Sequence, residues 1–378
     1  MNSPINSNRE VYLDLAKFFA MIMMVAGHSF FELANPEFYN LKVFPWDWWN
    51  FARGKTAPMF LFLSGAVHVF ANFKSGIEQI SKDTFKRRIL MAIVLLVIGY
   101  TLNSPINSLS ELYSIQSHRL ERFLQVNILH VFGVGLFILA LIYRFAGSIK
   151  KVLIINLILG IFVILITPVI GISELNSIPK FISNYLNFKG GSLFTMLPYS
   201  AYMFLGTVFG IWLRSRKLSN NTLQLRTGLL MFTIGLFSIL SGIAITKLLI
   251  YNGLRFDLRI DSGVVIRNIG IIILLISISR QIKITNIKII QFISKLSKRA
   301  IYIYVIHLFM IYGIGPLAGF KYFYGKMFEP FGAMMMSFLI MILSVLFTIL
   351  IDKILPFKIT KILFLTILVA YSLIFIMN

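Results

Sequence analysis

The sequence predicts an all-α integral membrane protein that crosses the bilayer with about 10–11 helices and has a cytoplasmic N-terminus. Of its 378 residues, 58% are hydrophobic and only 13% are charged. The mean hydropathy is +0.83. Soluble domains carry roughly 25% charged residues. Long apolar runs recur along the whole chain, so a polytopic membrane protein is the class that fits.

Each predicted helix is an apolar run of the length that spans the hydrocarbon core, which takes roughly 20 residues. The runs lie near residues 11–33, 56–73, 89–105, 125–145, 152–171, 194–213, 226–250, 263–279, 300–318, 331–351 and 360–377. The core helices are expected within about residues 11–351. The apolar run at 360–377 predicts one extra helix. Because no internal repeat or long linker is visible, we expect residues 1–378 to form a single membrane domain.

The distribution of the positive charge along the chain indicates how the chain is oriented in the membrane. The net charge is +22, and the basic residues form short clusters between the apolar runs. This placement does not predict nucleic-acid binding, which favours a basic face. Alternate loops are richer in Lys and Arg, so the N-terminus is expected in the cytoplasm and the protein in the inner (cytoplasmic) membrane of a cell. The chain has no cysteine and no HExxH-type spacing, so no metal is predicted.

Polar residues share one face of the first predicted helix. Lys17 and His28 are eleven residues apart, which is about 20° from a whole number of turns. Asp14, Met21 and Met24 fall on the same stripe, and Asp14 can pair with Lys17. A charge at membrane depth is costly unless it is used, which favours a functional interpretation. The open alternative is that Lys17 snorkels to the inner interface while His28 is hydrogen-bonded at the outer one.

Other predicted spans also carry polar side chains. Those expected near the outer ends are His130, Arg267 and Asn268, and those expected deeper or nearer the cytoplasm are His68, Tyr302 and His307. Any single residue of this kind is more often a packing residue than a catalyst. Four of the five histidines in predicted spans, together with a carboxylate at Asp14, favour a functional site over chance.

These residues carry a family resemblance. Arg9-x-x-Tyr-Leu-Asp14-x-x-Lys17, followed by ten residues and His28, resembles the N-terminal motif of the acyltransferase-3 family of membrane acyltransferases. TAPMFLFLSGAVHVF at 56–70 is similar to the second span of that family. It is also similar to the heparan-α-glucosaminide N-acetyltransferase group, which is placed with that family in a transmembrane acyltransferase superfamily.

Three further segments agree in order along the chain. KDTFKRRIL resembles the basic cytoplasmic loop of acyltransferase-3 proteins. PYSAYMFLGTVFGIW at 198–212 and KRAIYIYVIHLFMI at 298–311 resemble later spans, the second through its Tyr-x-x-x-x-His. The basic loop departs from the family pattern, because Lys86-Arg87-Arg88 stands where Arg-x-x-Arg is frequent.

The resemblance implies a membrane enzyme, an acyl-CoA-dependent O- or N-acyltransferase. It would move an acyl group, commonly acetyl, from cytoplasmic acetyl-CoA to a hydroxyl or amine of a glycan or glycolipid on the outer side. The implied catalytic residues are His28, Asp14, Arg267 and Asn268. The implied donor-binding residues are Lys17, Lys86, Arg87, Arg88, Tyr302 and His307. Membrane lipids are the other expected partners, and formation of a homodimer is an open alternative.

A competing hypothesis is a transporter or flippase of an anionic glycan or lipid. It predicts broken helices in two related halves with midplane carboxylates, and the sequence shows neither. A non-catalytic sensor that uses His28 as a pH switch is a third hypothesis. The tryptophans of PWDWWN (Trp46, Trp48 and Trp49) are expected to anchor the protein at the membrane interface, with stacking on a sugar as the alternative.

Overall fold

The computed structural model describes residues 10–73, 78–104, 111, 116–216, 221–254, 256–282, 284–314 and 317–354. These residues are mainly helical, which confirms the all-α polytopic class. Seven of the helices in this part of the chain are long and apolar enough to cross a membrane. Arg9 and the predicted helix at 360–377 lie outside the described residues.

The described residues contain fifteen α-helices. In chain order they are α1 (Val11–Leu33), α2 (Trp46–Arg53), α3 (Thr56–Asn72), α4 (Lys82–Leu102), α5 (Ser117–Phe123), α6 (Ile128–Phe145), α7 (Ile149–Ile172), α8 (Lys180–Leu186), α9 (Met196–Ser215), α10 (Asn221–Tyr251), α11 (Ser262–Gln281), α12 (Ile287–Lys298), α13 (Ala300–Tyr312), α14 (Phe320–Tyr324) and α15 (Pro330–Ile354). A 3₁₀ turn at Pro36–Phe38 precedes α2.

Ten of the predicted spans each correspond to one of these helices, and the main difference is at α13. This helix was expected to reach residue 318 and ends at Tyr312. Gly313 has φ of 80°, a left-handed conformation that glycine adopts readily and that ends a helix. The chain then forms a short antiparallel pair, β1 (Gly313–Ile314) with β2 (Leu317–Ala318). The helix is therefore shorter than its apolar run.

Contacts divide the chain into two compact units. The first contains the described parts of Met1–Lys17, Ala57–Gly99 and Gln125–Ser294. The second contains Phe18–Thr56 and the described parts of Tyr100–Leu124 and Lys295–Asn378. Helix α1 contributes to both units, because the boundary follows Lys17. The single domain expected from the sequence stays a prediction.

In the first unit, glycines let α3 and α9 pack backbone against backbone. A Cβ atom on Gly65 would lie 2.2 Å from the carbonyl oxygen of Met203, and one on Gly206 would lie 2.1 Å from that of Phe62. No larger residue fits at either position without moving a helix. Close approach through small residues is typical of helices that pack in a membrane, where apolar burial between helices gains little.

In the second unit, aromatic residues fix the segment after α1 onto that helix. The ring of Phe30 lies 5.4 Å from Tyr39, 5.4 Å from Trp46 and 5.5 Å from Trp49. Trp48 is 69% exposed. Two of the three tryptophans therefore pack within the protein, because α2 turns its apolar side towards α1. Only Trp48 keeps the exposure expected of an interfacial anchor.

Candidate active site

His28 lies near the end of α1 in a cluster with two residues of α13. Its ring centroid is 5.6 Å from that of His307 and 6.3 Å from that of Tyr304. Tyr304 and His307 are also in contact, at 5.0 Å. His307 is fully buried. We call this group, His28 with Tyr304 and His307, the histidine cluster.

Glu32 lies one helical turn after His28 and binds the end of α1 to the end of α13 and to the segment that follows α13. The hydroxyl of Tyr312 donates to one carboxylate oxygen at 3.0 Å, and the ammonium of Lys321 lies 2.9 Å from the other. The backbone N–H of Lys326 donates to the carbonyl oxygen of Glu32 at 3.0 Å. Both side-chain oxygens of Glu32 are thus engaged, which stabilises the helix end that carries His28.

Positive charge collects around Phe31 at the same helix end. The guanidinium of Arg53 lies 4.5 Å from the ring centroid, and the ammonium of Lys326 lies 4.2 Å from it. The ammonium of Lys326 also donates to the carbonyl oxygen of Phe31. Burial lowers the pKa of Lys326, the carboxylate of Glu32 opposes this, and the nearby cations Lys321 and Arg53 lower the pKa further. This end of α1 is therefore a crowded, polar environment.

Asp14 and Lys17, at the other end of α1, lie in the first unit. Asp14 is 1% exposed and accepts a hydrogen bond of 2.7 Å from the hydroxyl of Ser294. Lys17 is 8% exposed, and its ammonium lies 5.7 Å from the ring centroid of Phe60. A cation over an aromatic face gains electrostatic stabilisation within about 6 Å. Both charges are buried, and their pairing with each other stays a prediction.

The basic segment of α4, Lys86–Arg88, contains one cation that a neighbouring side chain holds by hydrogen bonds and two cations that are exposed. Arg88 donates to the side-chain oxygen of Asn72 through Nε at 3.2 Å and through Nη2 at 3.0 Å. Lys86 and Arg87 are exposed. A guanidinium held through two donors is pre-oriented, because its planar fork loses less freedom when a ligand binds.

Arg267 and Asn268 lie in α11 and belong to the first unit, whereas His28 belongs to the second. The side-chain amide of Asn268 donates to the hydroxyl of Tyr202 at 3.0 Å. The amide oxygen of Asn268 and Nε of Arg267 are buried without a hydrogen-bond partner among the described residues. Buried polar atoms of this kind are rare in native proteins and mark places where a ligand or water is expected.

Two of the other polar span residues have local partners. His130 caps α6, because its Nδ1 accepts from the backbone N–H of Asn127 at 3.1 Å. The ring of Tyr302 lies 5.5 Å from the guanidinium of Arg299. The tyrosine in ring contact with His28 is Tyr304, two residues further along α13.

Sequence reasoning missed Tyr304 and Glu32. A signal for each was present, since Glu32 follows His28 by four residues and Tyr304 precedes His307 by three, and such spacings share a helix face. Across the residues that the structure describes, no three His, Asp or Glu side chains group so that they can hold a metal ion.

The apolar helices define a multi-pass membrane protein. Polar and charged side chains that can take part in chemistry are buried among these helices. The model of the family described as "Heparan-alpha-glucosaminide N-acetyltransferase, catalytic" matches residues 9–253. This is more than half of the chain, and the chain belongs to that family of acetyltransferases. No curated protein and no solved structure matches the chain significantly.

The family match confirms one of the two resemblances. The relation to the heparan-α-glucosaminide N-acetyltransferase group is confirmed, and the resemblance to acyltransferase-3 proteins stays a prediction. The matched region contains Asp14, Lys17, His28 and the basic segment of α4. Arg267, Asn268 and all of α13 lie beyond residue 253, so the partners of His28 in the histidine cluster are known only from the structure.

Proposed function

We propose that the protein transfers an acetyl group from acetyl-CoA in the cytoplasm to a hydroxyl or amine of a glycan or glycolipid on the outer side, with His28 as the catalytic base. The observation that carries this proposal is the histidine cluster. An imidazole lies within the family-matched region and contacts a second, fully buried imidazole and a tyrosine. Acetyl transfer is what the family is named for, and an imidazole suits it because its ring nitrogen can accept a proton and later return it.

The proposed chemistry needs one base that can also return a proton. His28 takes the proton from the acceptor hydroxyl or amine as its oxygen or nitrogen attacks the thioester carbonyl. A new bond to the acetyl carbon forms, the carbon–sulfur bond breaks, and the departing thiolate takes the proton from the imidazolium. In a variant of this route, a ring nitrogen of His28 attacks the thioester carbonyl, and the carbon–sulfur bond breaks with release of the thiolate of coenzyme A. The acceptor then attacks the acetyl-imidazole, the acetyl–nitrogen bond breaks, and the proton of the acceptor passes to the released ring nitrogen.

Donor binding is assigned to cations of the first unit. Coenzyme A has a polyanionic nucleotide end, which Lys17, Lys86, Arg87 and Arg88 would hold by charge-assisted hydrogen bonds. The fixation of Arg88 by Asn72 supports this role. Asp14 would orient Lys17, three residues away on the same helix.

Arg267 suits oxyanion stabilisation better than Asn268 does. Its Nε–H is a donor without a partner among the described residues, and donors that wait for developing negative charge are effective in a dry site. The amide N–H of Asn268 already donates to Tyr202. Its open atom is an acceptor, which suits a hydroxyl or amine of a substrate.

The proposal is tested with purified protein, acetyl-CoA, and two probe acceptors, glucosamine for the amine and methyl glucoside for the hydroxyl. Release of free thiol and acetylated sugar are measured together. His28→Ala should abolish both, and His118→Ala, which changes an exposed histidine of α5, should leave both unchanged. Full turnover by His28→Ala would remove the catalytic assignment.

The same preparation separates the enzyme from a transporter. Liposomes that contain the protein and a labelled glycolipid are assayed without any acyl donor. Movement of the glycolipid between leaflets, together with no thiol release from acetyl-CoA, would favour a flippase and contradict the proposed acetyltransferase.

A further inference from the structure

We propose that His307 is a positioning residue that accepts a hydrogen bond from a ring N–H of His28 in the reacting complex. The contact fixes which nitrogen of His28 is free to act as the base. This inference rests on the proposed function of His28. It differs from the donor-binding role that the family resemblance implies for His307.

The tautomer of His307 leaves one of its ring nitrogens as a hydrogen-bond acceptor. Its Nδ1 lies 3.3 Å from the carbonyl oxygen of Ile303. A carbonyl oxygen can only accept, so Nδ1 carries the hydrogen and Nε2 carries a lone pair in the neutral ring. Nε2 is buried and has no hydrogen-bond partner among the described residues. An unmet buried acceptor is unfavourable, which indicates that a donor reaches it in another state of the protein.

The rings of His28 and His307 are nearly close enough for a hydrogen bond between them. A hydrogen bond of about 2.9 Å between nitrogens of two imidazoles places their ring centroids roughly 5 Å apart when the rings meet edge to edge. The centroids of His28 and His307 are 5.6 Å apart. An approach of less than about 1 Å, within the reach of side-chain motion, is enough to form the bond. Tyr304 contacts both rings and restricts the space in which they move.

The carboxylate that α1 carries beside His28 is already engaged. Glu32 is one turn from His28 and would be the ordinary partner for a catalytic imidazole. Its two oxygens bind Tyr312 and Lys321 instead. His307 therefore offers the open acceptor beside His28, and as a neutral group it adds no buried negative charge. The other nitrogen of His28 then keeps its lone pair for the proton of the acceptor, the logic of a base oriented by a third group.

The test compares His307→Phe with His307→Gln in the purified full-length protein. Phe fills the site without an acceptor, whereas Gln supplies a side-chain oxygen. For His307→Phe we expect kcat to fall about 10- to 100-fold, as it does when a partner that orients a functional side chain is lost. The KM for acetyl-CoA should stay within about twofold of the wild-type value. His307→Gln should recover a measurable part of the lost kcat. His118→Ala serves as the unaffected histidine variant.

Two outcomes would overturn the inference. An unchanged kcat in His307→Phe would show that His28 needs no acceptor there. A raised KM for acetyl-CoA at normal kcat would assign His307 to the donor site. If the Phe variant does not fold, His307→Met and His307→Gln are compared, and equal kcat values count against the proposal. The proposed function is judged separately, because His28→Ala tests it in the same assay whatever the result for His307.

Discussion

At the scale of single residues, α1 carries charged side chains whose burial in a membrane helix is unfavourable. Asp14 and Lys17 are buried, and each has a described contact that lowers the cost of burial, a hydroxyl for the carboxylate and an aromatic face for the ammonium. His28 instead contacts Tyr304 and a second imidazole. The buried charges at one end and the histidine cluster at the other support separate roles for the two ends of α1.

Replacement of Lys17 tests the donor role. Loss of a charge-assisted contact typically costs about 1.5–3 kcal/mol, so Lys17→Ala should raise KM for acetyl-CoA roughly 10- to 100-fold with a small change in kcat. Lys17→Arg should keep most of the affinity. The measurement is initial-rate kinetics at varied acetyl-CoA, with Lys150→Ala, an exposed lysine of α7, as control. A normal KM in Lys17→Ala would exclude donor contact.

Much of the candidate site could be predicted from charged and polar residues, because such side chains are unfavourable in lipid. Lys17 and His28 were visible because their spacing returns to one helix face. Tyr304 was not visible, since a tyrosine in an apolar helix is ordinary and its contact with His28 joins segments distant in sequence. Glu32 was overlooked because it falls at the helix end, where a carboxylate is expected to meet water.

At the scale of secondary structure, the apolar runs predicted where helices occur better than where they end. Helix α1 matches its predicted span, because the run of apolar residues begins and stops with the helix. Helix α13 stops early at Gly313, a conformational signal that hydropathy does not register. Short helices such as α2 and α12 were not predicted, because they are too short to span a bilayer and hydropathy alone does not distinguish them from loops.

The contacts of Glu32 predict unequal effects on stability. Lys321 is half exposed, so its ion pair should contribute less than about 1 kcal/mol. Removal of Glu32 also removes the part-buried hydrogen bond that its carboxylate accepts from the hydroxyl of Tyr312, which costs about 1–3 kcal/mol. Thermal unfolding in detergent should therefore show a clear loss for Glu32→Ala and little for Lys321→Ala. Equal shifts for both variants would contradict this order.

The close approach of α3 and α9 gives a second test at this scale. Gly206→Ala places a methyl group 2.1 Å from the carbonyl oxygen of Phe62, so the helices must separate. Gly228→Ala on α10 meets no atom closer than 3.5 Å. We expect Gly206→Ala to lower stability by about 1–3 kcal/mol and Gly228→Ala to change it little. The readout is unfolding in detergent, and an unaffected Gly206→Ala would contradict the packing.

At the scale of the whole molecule, the class followed from composition, because no soluble core accommodates so much apolar surface. The family followed from the first two thirds of the chain, where the motif around His28 and the TAPMF segment lie. The direction of transfer is a proposal that depends on topology. It requires the N-terminal end of α1 to face the cytoplasm.

The natural absence of cysteine makes that topology measurable. A single cysteine introduced as Lys42→Cys, in the segment between α1 and α2, should react with a membrane-impermeant maleimide on intact cells. One introduced as Lys150→Cys, at the start of α7, should react only after the membrane is opened. Both positions are exposed. The reverse pattern would place the N-terminus outside and reverse the proposed direction.

The most direct measurement uses proteoliposomes that enclose acetyl-labelled acetyl-CoA and carry glucosamine and methyl glucoside outside. Only molecules with their donor side inward can react, so mixed insertion does not confuse the result. We expect labelled sugar outside with the wild-type protein and His118→Ala, and none with His28→Ala. Labelled sugar formed equally by His28→Ala, or formed only when donor and acceptor share a compartment, would contradict acetyl transfer across the membrane through His28.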